Sequence, residues 1–429
     1  MKGPGPRYRW YVIGMLWAIS FCNYADRQAV FSVFPLLARQ MGLSTIQLGL
    51  LGSSFAWVYG LCSQAAGALV DRVRRKSAIL GGLHAWSGIC LCTGLAGGFL
   101  SLFVLRAAEG LGETFYYPAA MSLISDYHGK ATRSTAIGLH QTSVYVGTIA
   151  GGFFAGLIGQ EYGWRWSFYV FGGMGVALGF ALRRWLREPE RGAADFADCG
   201  YRAEGAHTAS LRLRDSLLEI WANRTALALM GAFVCANFVA AMLLSWMPDF
   251  LYQKFRLSLS MAGLTATIFV QLASMAGSVA GGWIADRWRA RSPRGRMLVQ
   301  AIGVFGGAPF VALCGLTASV GTLMAALAAW GFCKGLYDAN IFASLFDVVR
   351  PEARGTAAGW MNTVGWLGGG GAAPLVIGIA ATRYGLGFSI ALASCVYLAA
   401  GALLLTGAFV FAAADVERLT KTIAMEASE

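Results

Sequence analysis

The sequence predicts an all-α membrane protein whose twelve transmembrane helices form two six-helix bundles. Of the 429 residues, 57% are hydrophobic and 13% are charged, whereas a soluble protein has about 25% charged residues. Apolar blocks of about 20 residues recur along the whole chain, and a helix of that length crosses a bilayer. The helices are expected at residues 10–38, 46–70, 77–98, 101–126, 133–160, 164–186, 224–252, 259–285, 296–317, 320–347, 354–381 and 387–412.

The first apolar block contains Asp26 and Arg27 and has no small-residue cleavage site behind a short core. We therefore expect it to remain as a helix and not to be removed as a signal peptide. Eight of the nine cysteines fall in the expected helices, without CxxC or zinc-ligand spacing. We therefore expect no metal and no cofactor.

The net charge of +12 would suit a nucleic-acid-binding protein, but its distribution favours membrane topology. With the N-terminus inside, the expected cytoplasmic segments hold 26 of the 34 Lys and Arg residues, and the outer segments hold five. Cytoplasmic loops of membrane proteins carry such an excess. The sequence thus predicts two cytoplasmic termini, no nucleic-acid partner and residence in a bacterial cytoplasmic membrane.

The longest polar segment separates the sixth expected helix from the seventh. We expect an N-terminal bundle at 1–186, a cytoplasmic linker at 187–223 and a C-terminal bundle with a short cytoplasmic tail at 224–429. The linker includes a short amphipathic stretch, residues 212–221, that is expected to lie on the membrane surface.

The two halves repeat a pattern of charged residues at their inner ends. Six-helix halves related by a parallel repeat are a transporter architecture, with the substrate site near the midplane. The repeated residues are Asp71 and Arg72 after the second helix, Asp286 and Arg287 after the eighth, Asp126 and Arg133 after the fourth, and Asp347 and Arg354 after the tenth.

The segment GALVDRVRRK at 67–76 resembles the major facilitator signature between helices two and three, and RAAEGLG at 106–112 resembles that superfamily's helix-four motif. We expect Gly67 to let the second helix approach a neighbour closely. The charged residues are expected to form an inner-face network that holds one conformation, although they would also serve topology alone. The expected gating set is Gly67, Asp71, Arg72, Arg75, Asp126, Arg133, Asp286, Arg287, Asp347 and Arg354.

Charged residues also occur within the first and fourth helices. Arg106, Gly110, Glu113 and Tyr117 share one face of an uninterrupted helix. Glu113 and Arg27 both lie about 18 Å from the outer ends of their helices. Each buried charge costs about 2.5–3.5 kcal/mol unless it is paired or faces water, so a purely structural set of ion pairs is one interpretation.

The functional interpretation gives the acids and the bases different tasks. Arg27 and Arg106 offer a fork of donors that suits a carboxylate. A carboxylic acid in a cavity of low dielectric takes up and releases a proton near neutral pH, which makes Asp26 and Glu113 proton carriers. An ionised acid pairs with an arginine and competes with the substrate, whereas protonation releases the arginine for an organic anion.

Four segments resemble the anion:cation symporter branch, which includes bacterial sugar-acid/proton symporters and vesicular or lysosomal organic-anion carriers. They are NYADR at 23–27, Arg106-x6-Glu113 with the following YPA at 117–119, GWRWSF at 163–168 and the Asn/Gly pattern at 359–378. The resemblance implies that Asp26 and Glu113 couple protons. It implies substrate contacts from Tyr24, Arg27, Tyr59, Arg106, Tyr117, Gln141 and Asn362.

Two features depart from that branch. Gly151 and Gly152 stand where a proline is common, and Lys334 lies one turn before Asp338 in the tenth helix. Lys334 is either the partner of Asp338 or a third cation that faces the cavity.

The resulting prediction is a monomeric secondary transporter for a small organic anion and protons. The first alternative is a spinster-like transporter of a lysolipid or another amphipathic substrate, which also carries Asn-Tyr-x-Asp-Arg and Arg-x6-Glu. A receptor that retained the fold is a second alternative, and coupling to sodium remains open. A membrane-embedded enzyme is disfavoured because the chain has no HExxH motif and no nucleophile with a suitable base.

Overall fold

A computed structural model describes residues 7–70, 72–129, 132–190, 220–292, 294–350 and 353–418. Asp71 and the amphipathic stretch expected at 212–221, apart from its last two residues, lie outside the described residues. The described elements are helical, and no strand occurs among them.

The first half of the chain contains eight helices within its described residues, and they coincide with the first six expected segments. In chain order they are α1 (Tyr8–Ser32), α2 (Phe34–Met41), α3 (Thr45–Val70), α4 (Arg75–Thr93), α5 (Phe99–Glu113), α6 (Tyr116–Tyr127), α7 (Arg133–Tyr162) and α8 (Trp164–Trp185).

The second half contains nine further α-helices and two π-helical turns within its described residues. They are α9 (Arg224–Phe255), α10 (Leu259–Arg289), α11 (Gly295–Leu316), α12 (Val320–Asp338), α13 (Ile341–Phe346), α14 (Arg354–Val364), the turn Gly365–Gly370, α15 (Ala372–Tyr384), α16 (Leu386–Leu392), α17 (Ser394–Thr406) and the turn Gly407–Phe411.

Several expected helices are interrupted near a proline. Proline has no N–H to bond with the carbonyl four residues earlier, and its ring crowds that carbonyl. The break between α5 and α6 falls at Thr114, four residues before Pro118, and the π-helical turn ends at Gly370, four residues before Pro374. The prediction of one uninterrupted fourth helix was therefore wrong.

Eight helices in the described part of the chain are long and apolar enough to cross a membrane. Neither α1, α5 nor α6 is among them. A count of twelve crossings stays a prediction. The candidate spans are Thr45–Gly67, Thr135–Tyr162, Arg224–Phe255, Leu259–Arg289, Gly295–Leu316, Val320–Phe346, Arg354–Tyr384 and Leu386–Arg418.

The chain divides into two compact units. The N-terminal unit comprises Met1–Ala206 and Leu244–Thr267, and the C-terminal unit comprises His207–Leu243 and Ile268–Glu429. The helices α9 and α10 therefore each contribute one part to the N-terminal unit. The domain boundaries expected from the sequence stay a prediction.

A buried core in the N-terminal unit joins α1, α4 and α6. The Tyr116 hydroxyl donates to the carbonyl oxygen of Leu16 at 2.7 Å, and its ring packs edge-on against Trp86 with centroids 5.8 Å apart. In a bilayer such contacts stabilise the fold through van der Waals packing and hydrogen bonds between helices, because lipid tails are as apolar as these side chains. This core fixes the fourth segment against the first just inside the break at Thr114.

Candidate functional site

The guanidinium of Arg27 on α1 binds the carboxylate of Glu113 at the end of α5. The Nε atom lies 2.9 Å from Oε2, and Nη2 contacts the same oxygen. The Glu113 side chain is fully buried, whereas that of Arg27 is 12% exposed. This contact confirms that the two residues lie at the same depth. It also places the arginine, and not the glutamate, at the accessible side of the pair.

A glycine allows α5 to come this close. A Cβ atom built at Gly110 would lie 2.5 Å from the carbonyl oxygen of Phe55 on α3, which is closer than non-bonded atoms tolerate. The backbones of α3 and α5 therefore touch one turn before Glu113.

Three aromatic rings surround the Arg27 guanidinium. Its carbon lies 4.7 Å from the ring centroids of Tyr24 and Phe55 and 5.0 Å from that of Tyr59. Cation–π contacts contribute about 0.5–2 kcal/mol each, and Asn23 Oδ1 accepts a further hydrogen bond of 3.4 Å. The guanidinium is thus held in place by contacts that do not depend on Glu113.

A second ion pair lies within α5. Arg106 Nη1 lies 2.5 Å from Oε2 of Glu109, one turn later, and both side chains are fully buried. Phe55 stands beside both bases, because its ring centroid also lies 5.1 Å from the Arg106 guanidinium carbon. Arg106 is sealed in this conformation, so the substrate contact expected from it stays a proposal.

Asp26 and Arg27 do not pair with each other. The carboxylates of Asp26 and Glu109 and the Cys90 sulfur lie within 4.8 Å of one another, and all three residues are buried. Successive residues of a helix project about 100° apart, so Asp26 faces Cys90 and Glu109 while Arg27 faces Glu113. The expectation that an ionised Asp26 pairs with an arginine is not met in this conformation.

The remaining expected substrate contacts differ in exposure. Tyr24, Tyr59 and Gln141 are half-buried in the N-terminal unit. Tyr117 is 43% exposed, and it belongs to α6, so it does not continue the α5 stripe of Arg106, Gly110 and Glu113 as the sequence predicted.

Two expected site residues lie in the C-terminal unit. Asn362 is half-buried on α14. Lys334 forms an ion pair with Asp338 one turn later, which is the first of its two predicted interpretations.

An ion pair joins helix ends in the N-terminal unit, on the side where the sequence predicts the cytoplasm. Arg75 contacts Asp126, and its Nε lies 2.9 Å from Oε1 of Glu188. Glu188 also accepts from the backbone N–H groups of Arg75 and Lys76, at 3.1 and 2.7 Å. It therefore caps the N-terminus of α4, where the helix dipole favours a negative charge.

The C-terminal unit repeats this pair, since Arg296 and Asp347 lie 221 residues after Arg75 and Asp126. Arg296 Nη1 lies 2.9 Å from both oxygens of Asp347, and Arg289 Nε lies 3.1 Å from the same carboxylate. Arg296 also reaches Asp286 at 3.2 Å. Arg296 was not in the expected gating set, although the repeat maps Arg75 onto it.

Two further expected gating residues, Arg133 and Arg354, both donate hydrogen bonds to backbone carbonyl oxygens. Arg133 donates to the carbonyl oxygens of Ser125 and His128, at 3.2 and 3.0 Å, and Arg354 donates to the carbonyl oxygen of Phe346 at 3.0 Å. Both arginines therefore bond to the end of the preceding helix.

Other members of the expected gating set do not join this network. Arg72 is exposed, and Arg287 stacks on Trp283 with its guanidinium carbon 3.8 Å from the ring centroid. Gly67 has open space around it, since a Cβ atom built there would meet no described atom within 4 Å. The close helix approach expected at Gly67 is therefore absent from this conformation.

Two other buried acids were not among the expected site residues. Glu109 received no role, because its distance from Asp26 depends on how α1 and α5 are rotated. Asp249 on α9 is 2% exposed and accepts from Gln253 Nε2 at 2.9 and 2.8 Å. The signal for Asp249 was an acid and an amide one turn apart in an otherwise apolar run.

Long apolar helices, eight of them in the described part of the chain able to cross a membrane, together with buried ion pairs between helices, define an integral, multi-pass membrane protein. The chain belongs to the Major Facilitator Superfamily, whose sequence profile matches residues 16–374.

Two curated relatives illustrate the similarity. The chain is 28% identical over 389 residues to "Probable anion transporter 4, chloroplastic" of Oryza sativa subsp. japonica, which covers 88% of this chain and 64% of that protein. It thus spans a little less than two-thirds of the rice protein's length. It is 27% identical over 445 residues to the D-galactonate transporter of Escherichia coli O6:H1, covering 97% and 98% of the two chains.

A solved structure has the same fold. A bacterial homolog of the human lysosomal transporter Spinster, crystallised in an inward-facing and unoccupied conformation, superposes with a TM-score of 0.85 and 22% sequence identity. The match covers 95% of this chain and 98% of that one. At this level of identity the likeness shows the fold alone.

Proposed function

We propose that the protein is a proton-coupled symporter of a small organic anion of the sugar-acid class, working by alternating access. The observation that carries the proposal is the Arg27–Glu113 pair, in which the partly exposed member is the anion-binding guanidinium. The similarity over nearly the full length to a galactonate transporter supports the substrate class. We further propose a monomer in a bacterial cytoplasmic membrane with both termini inside.

In this proposal the substrate carboxylate and Glu113 compete for the same donors. Removing one partner of a buried ion pair costs about 3–5 kcal/mol because it leaves an uncompensated charge. Protonating Glu113 therefore destabilises the site unless an anion takes its place on Arg27. Conversely, a bound anion favours the protonated form of Glu113. Competition for Arg27 is therefore sufficient to couple proton binding to anion binding.

The other proposed contacts suit a hydroxylated substrate. Phenol and amide groups donate and accept hydrogen bonds, and Tyr24 and Tyr59 already flank Arg27. Tyr117, Gln141 and Asn362 would contact the sugar hydroxyls. Arg106 would act in another conformation, in which its pair with Glu109 is opened.

The inner-face residues are proposed to gate the movement of the helices. Arg75 with Asp126 and Arg296 with Asp347 would separate and re-form during each cycle. The set proposed from the sequence is Gly67, Asp71, Arg72, Arg75, Asp126, Arg133, Asp286, Arg287, Asp347 and Arg354, to which Glu188, Arg289 and Arg296 are added.

A second candidate is a transporter of a lysolipid or another amphipathic molecule. The observation that favours it is an apolar cavity of about 210 Å³ in the C-terminal unit. The cavity is lined by Ile220, Trp221, Leu227, Met230, Gly231, Val234, Trp360 and Val364. Such a cavity suits an acyl chain, whereas the charged site around Arg27 suits a compact anion.

Uptake into proteoliposomes tests the two candidates. We expect radiolabelled D-galactonate or a related sugar acid to accumulate when the outside is more acidic than the lumen, and a sodium gradient to have no effect. This accumulation should fall in Glu113→Gln and persist in the matched control, the exposed Glu161→Gln at the outer end of α7. Accumulation driven by sodium, or transport of a lysolipid with no sugar-acid uptake, would contradict the proposal.

A further inference from the structure

A second group of ionisable side chains lies beside the Arg27–Glu113 pair. We propose that Asp26 and Glu109 share one proton as a carboxyl pair, so that Glu109 is a part of the proton site that the sequence did not suggest. The role of this pair in transport rests on the proposed function above. Its protonation does not, because that follows from the geometry of the N-terminal unit.

The carboxyl groups of Asp26 and Glu109 lie close together and are buried away from solvent. Their oxygens lie within 4.8 Å of each other and of the Cys90 sulfur. Asp26 is 2% exposed and Glu109 and Cys90 are fully buried. Asp26 Oδ1 and Glu109 Oε1 have no hydrogen-bond partner among the described residues. Two ionised carboxylates at this separation and away from water repel each other strongly, so one of them retains its proton.

The number of charges in the cluster leads to the same conclusion. The ionisable groups that face Asp26 come from α1, α4 and α5, and in the described part of the chain they are Cys22, Arg27, Cys90, Arg106, Glu109 and Glu113. Each arginine binds one glutamate, Arg27 with Glu113 and Arg106 with Glu109. The thiols are neutral. Asp26 is therefore the third acid beside two bases, and one bound proton makes the cluster neutral.

Arg106 supplies the positive charge beside the two carboxyl groups. It binds only Oε2 of Glu109, and its Nε and Nη2 atoms have no partner among the described residues. These buried donors stabilise whichever carboxylate is ionised. When the proton leaves, the surplus negative charge attracts Arg106 and Arg27 and weakens their existing pairs. Proton release from Asp26 and Glu109 is thus linked to release of the anion from Arg27.

A bound sodium ion is the competing occupant of the same place. Hard cations prefer several oxygen ligands, whereas thiol sulfur is a soft ligand. The Cys90 sulfur forms one wall of this site, and one Glu109 oxygen is already bound to Arg106. A proton needs only a single carboxyl oxygen.

Infrared spectroscopy of the purified protein tests the proposal without any transport assay. A protonated carboxyl group has a C=O band separate from those of carboxylates, and this band shifts in D2O. We expect one such band from this cluster at neutral pH. It should be lost in Asp26→Asn and also in Glu109→Gln, because two acids then face two bases. The exposed Glu161→Gln should keep it.

A double variant separates the charge count from misfolding. Arg106→Gln combined with Glu109→Gln removes one acid and one base, so the surplus acid remains and the band should return on Asp26.

A band of unchanged size in Glu109→Gln would show that Asp26 binds its proton alone, and no band in the wild type would exclude the shared proton. Loss of the band in NaCl, but not in KCl of equal ionic strength, would assign the site to sodium. If the band behaves as expected while pH gradients drive no uptake, only the proposed function fails.

Discussion

Arg27 Nε lies 2.9 Å from Oε2 of Glu113, although 86 residues separate the two in the chain. The backbone contact at Gly110 holds α5 against α3, and the α3 rings Phe55 and Tyr59 in turn pack against the guanidinium of Arg27 on α1. The pair is therefore built into the packing of the N-terminal unit. It also joins a cation that can bind an anion, Arg27, directly to an acid that can bind a proton, Glu113, which are the two groups that anion–proton coupling requires.

Replacing the base should abolish anion binding. In Arg27→Ala we expect no thermal stabilisation of the purified protein by D-galactonate or other sugar acids. Arg27→Lys should retain weak stabilisation, because the ammonium keeps the charge but lacks the bidentate fork. Both variants are measured by ligand-dependent unfolding temperature. Stabilisation of Arg27→Ala equal to that of the wild type would mean that the anion binds elsewhere.

Replacing the acid should separate binding from coupling. In Glu113→Gln the side chain resembles a permanently protonated glutamate, so Arg27 stays available to the anion at every pH. We expect exchange of labelled for unlabelled sugar acid across the membrane to persist, while accumulation driven by a pH gradient falls at least about tenfold, the effect of about 1.4 kcal/mol. Undiminished accumulation in Glu113→Gln would remove this residue from the coupling mechanism.

A single methyl group should disturb the site from a distance. In Gly110→Ala the new Cβ would lie 2.5 Å from the Phe55 carbonyl oxygen, which forces α5 away from α3. Such overpacking costs about 1–3 kcal/mol. The control is Gly81→Ala on α4, where the structure has no described atom within 4 Å of the added carbon.

Gly81→Ala should be neutral or stabilising by up to about 1 kcal/mol, since alanine favours helix more than glycine does. Unfolding temperature and anion affinity are compared for the two variants. Equal behaviour of Gly110→Ala and Gly81→Ala would show that the close approach of α3 and α5 does not support the site.

The inner-face carboxylates should act together on Arg75. Asp126 and Glu188 both contact this arginine, so removing either one leaves the other to hold it. We expect Asp126→Asn and Glu188→Gln to be mild singly and more than additive when combined, with a coupling of about 0.5–3 kcal/mol. A double-mutant cycle on thermal unfolding measures this value, and strict additivity would contradict the shared arginine.

Much of the site follows from sequence because helix geometry is regular. Rise per residue places Arg27 and Glu113 at one depth, and the contact confirms it. The rotation of each helix about its own axis cannot be read from the sequence in this way. It depends on packing against several neighbouring helices at once, so the sequence did not show that Asp26 faces Glu109 while Arg27 faces Glu113.

Two other differences between the sequence prediction and the structure, at Tyr117 and at Gly67, have local causes. Pro118 acts on the carbonyl of Thr114 and ends α5 just after Glu113, which moves Tyr117 onto a separate helix. Gly67 matches a sequence signature, but a signature fixes the residue type and not the conformation in which it packs. The Arg296–Asp347 pair was predictable in principle from the internal repeat, since it lies 221 residues after Arg75 and Asp126.

Simultaneous measurement of proton and anion movement distinguishes coupled transport from entry of the anion alone. Proteoliposomes that contain a pH-sensitive dye receive external D-galactonate with no initial pH or sodium gradient. We expect the lumen to become more acidic as the anion enters, and we expect Arg27→Ala and Glu113→Gln to abolish this signal. Anion entry by the wild type without luminal acidification would contradict the proposed coupling.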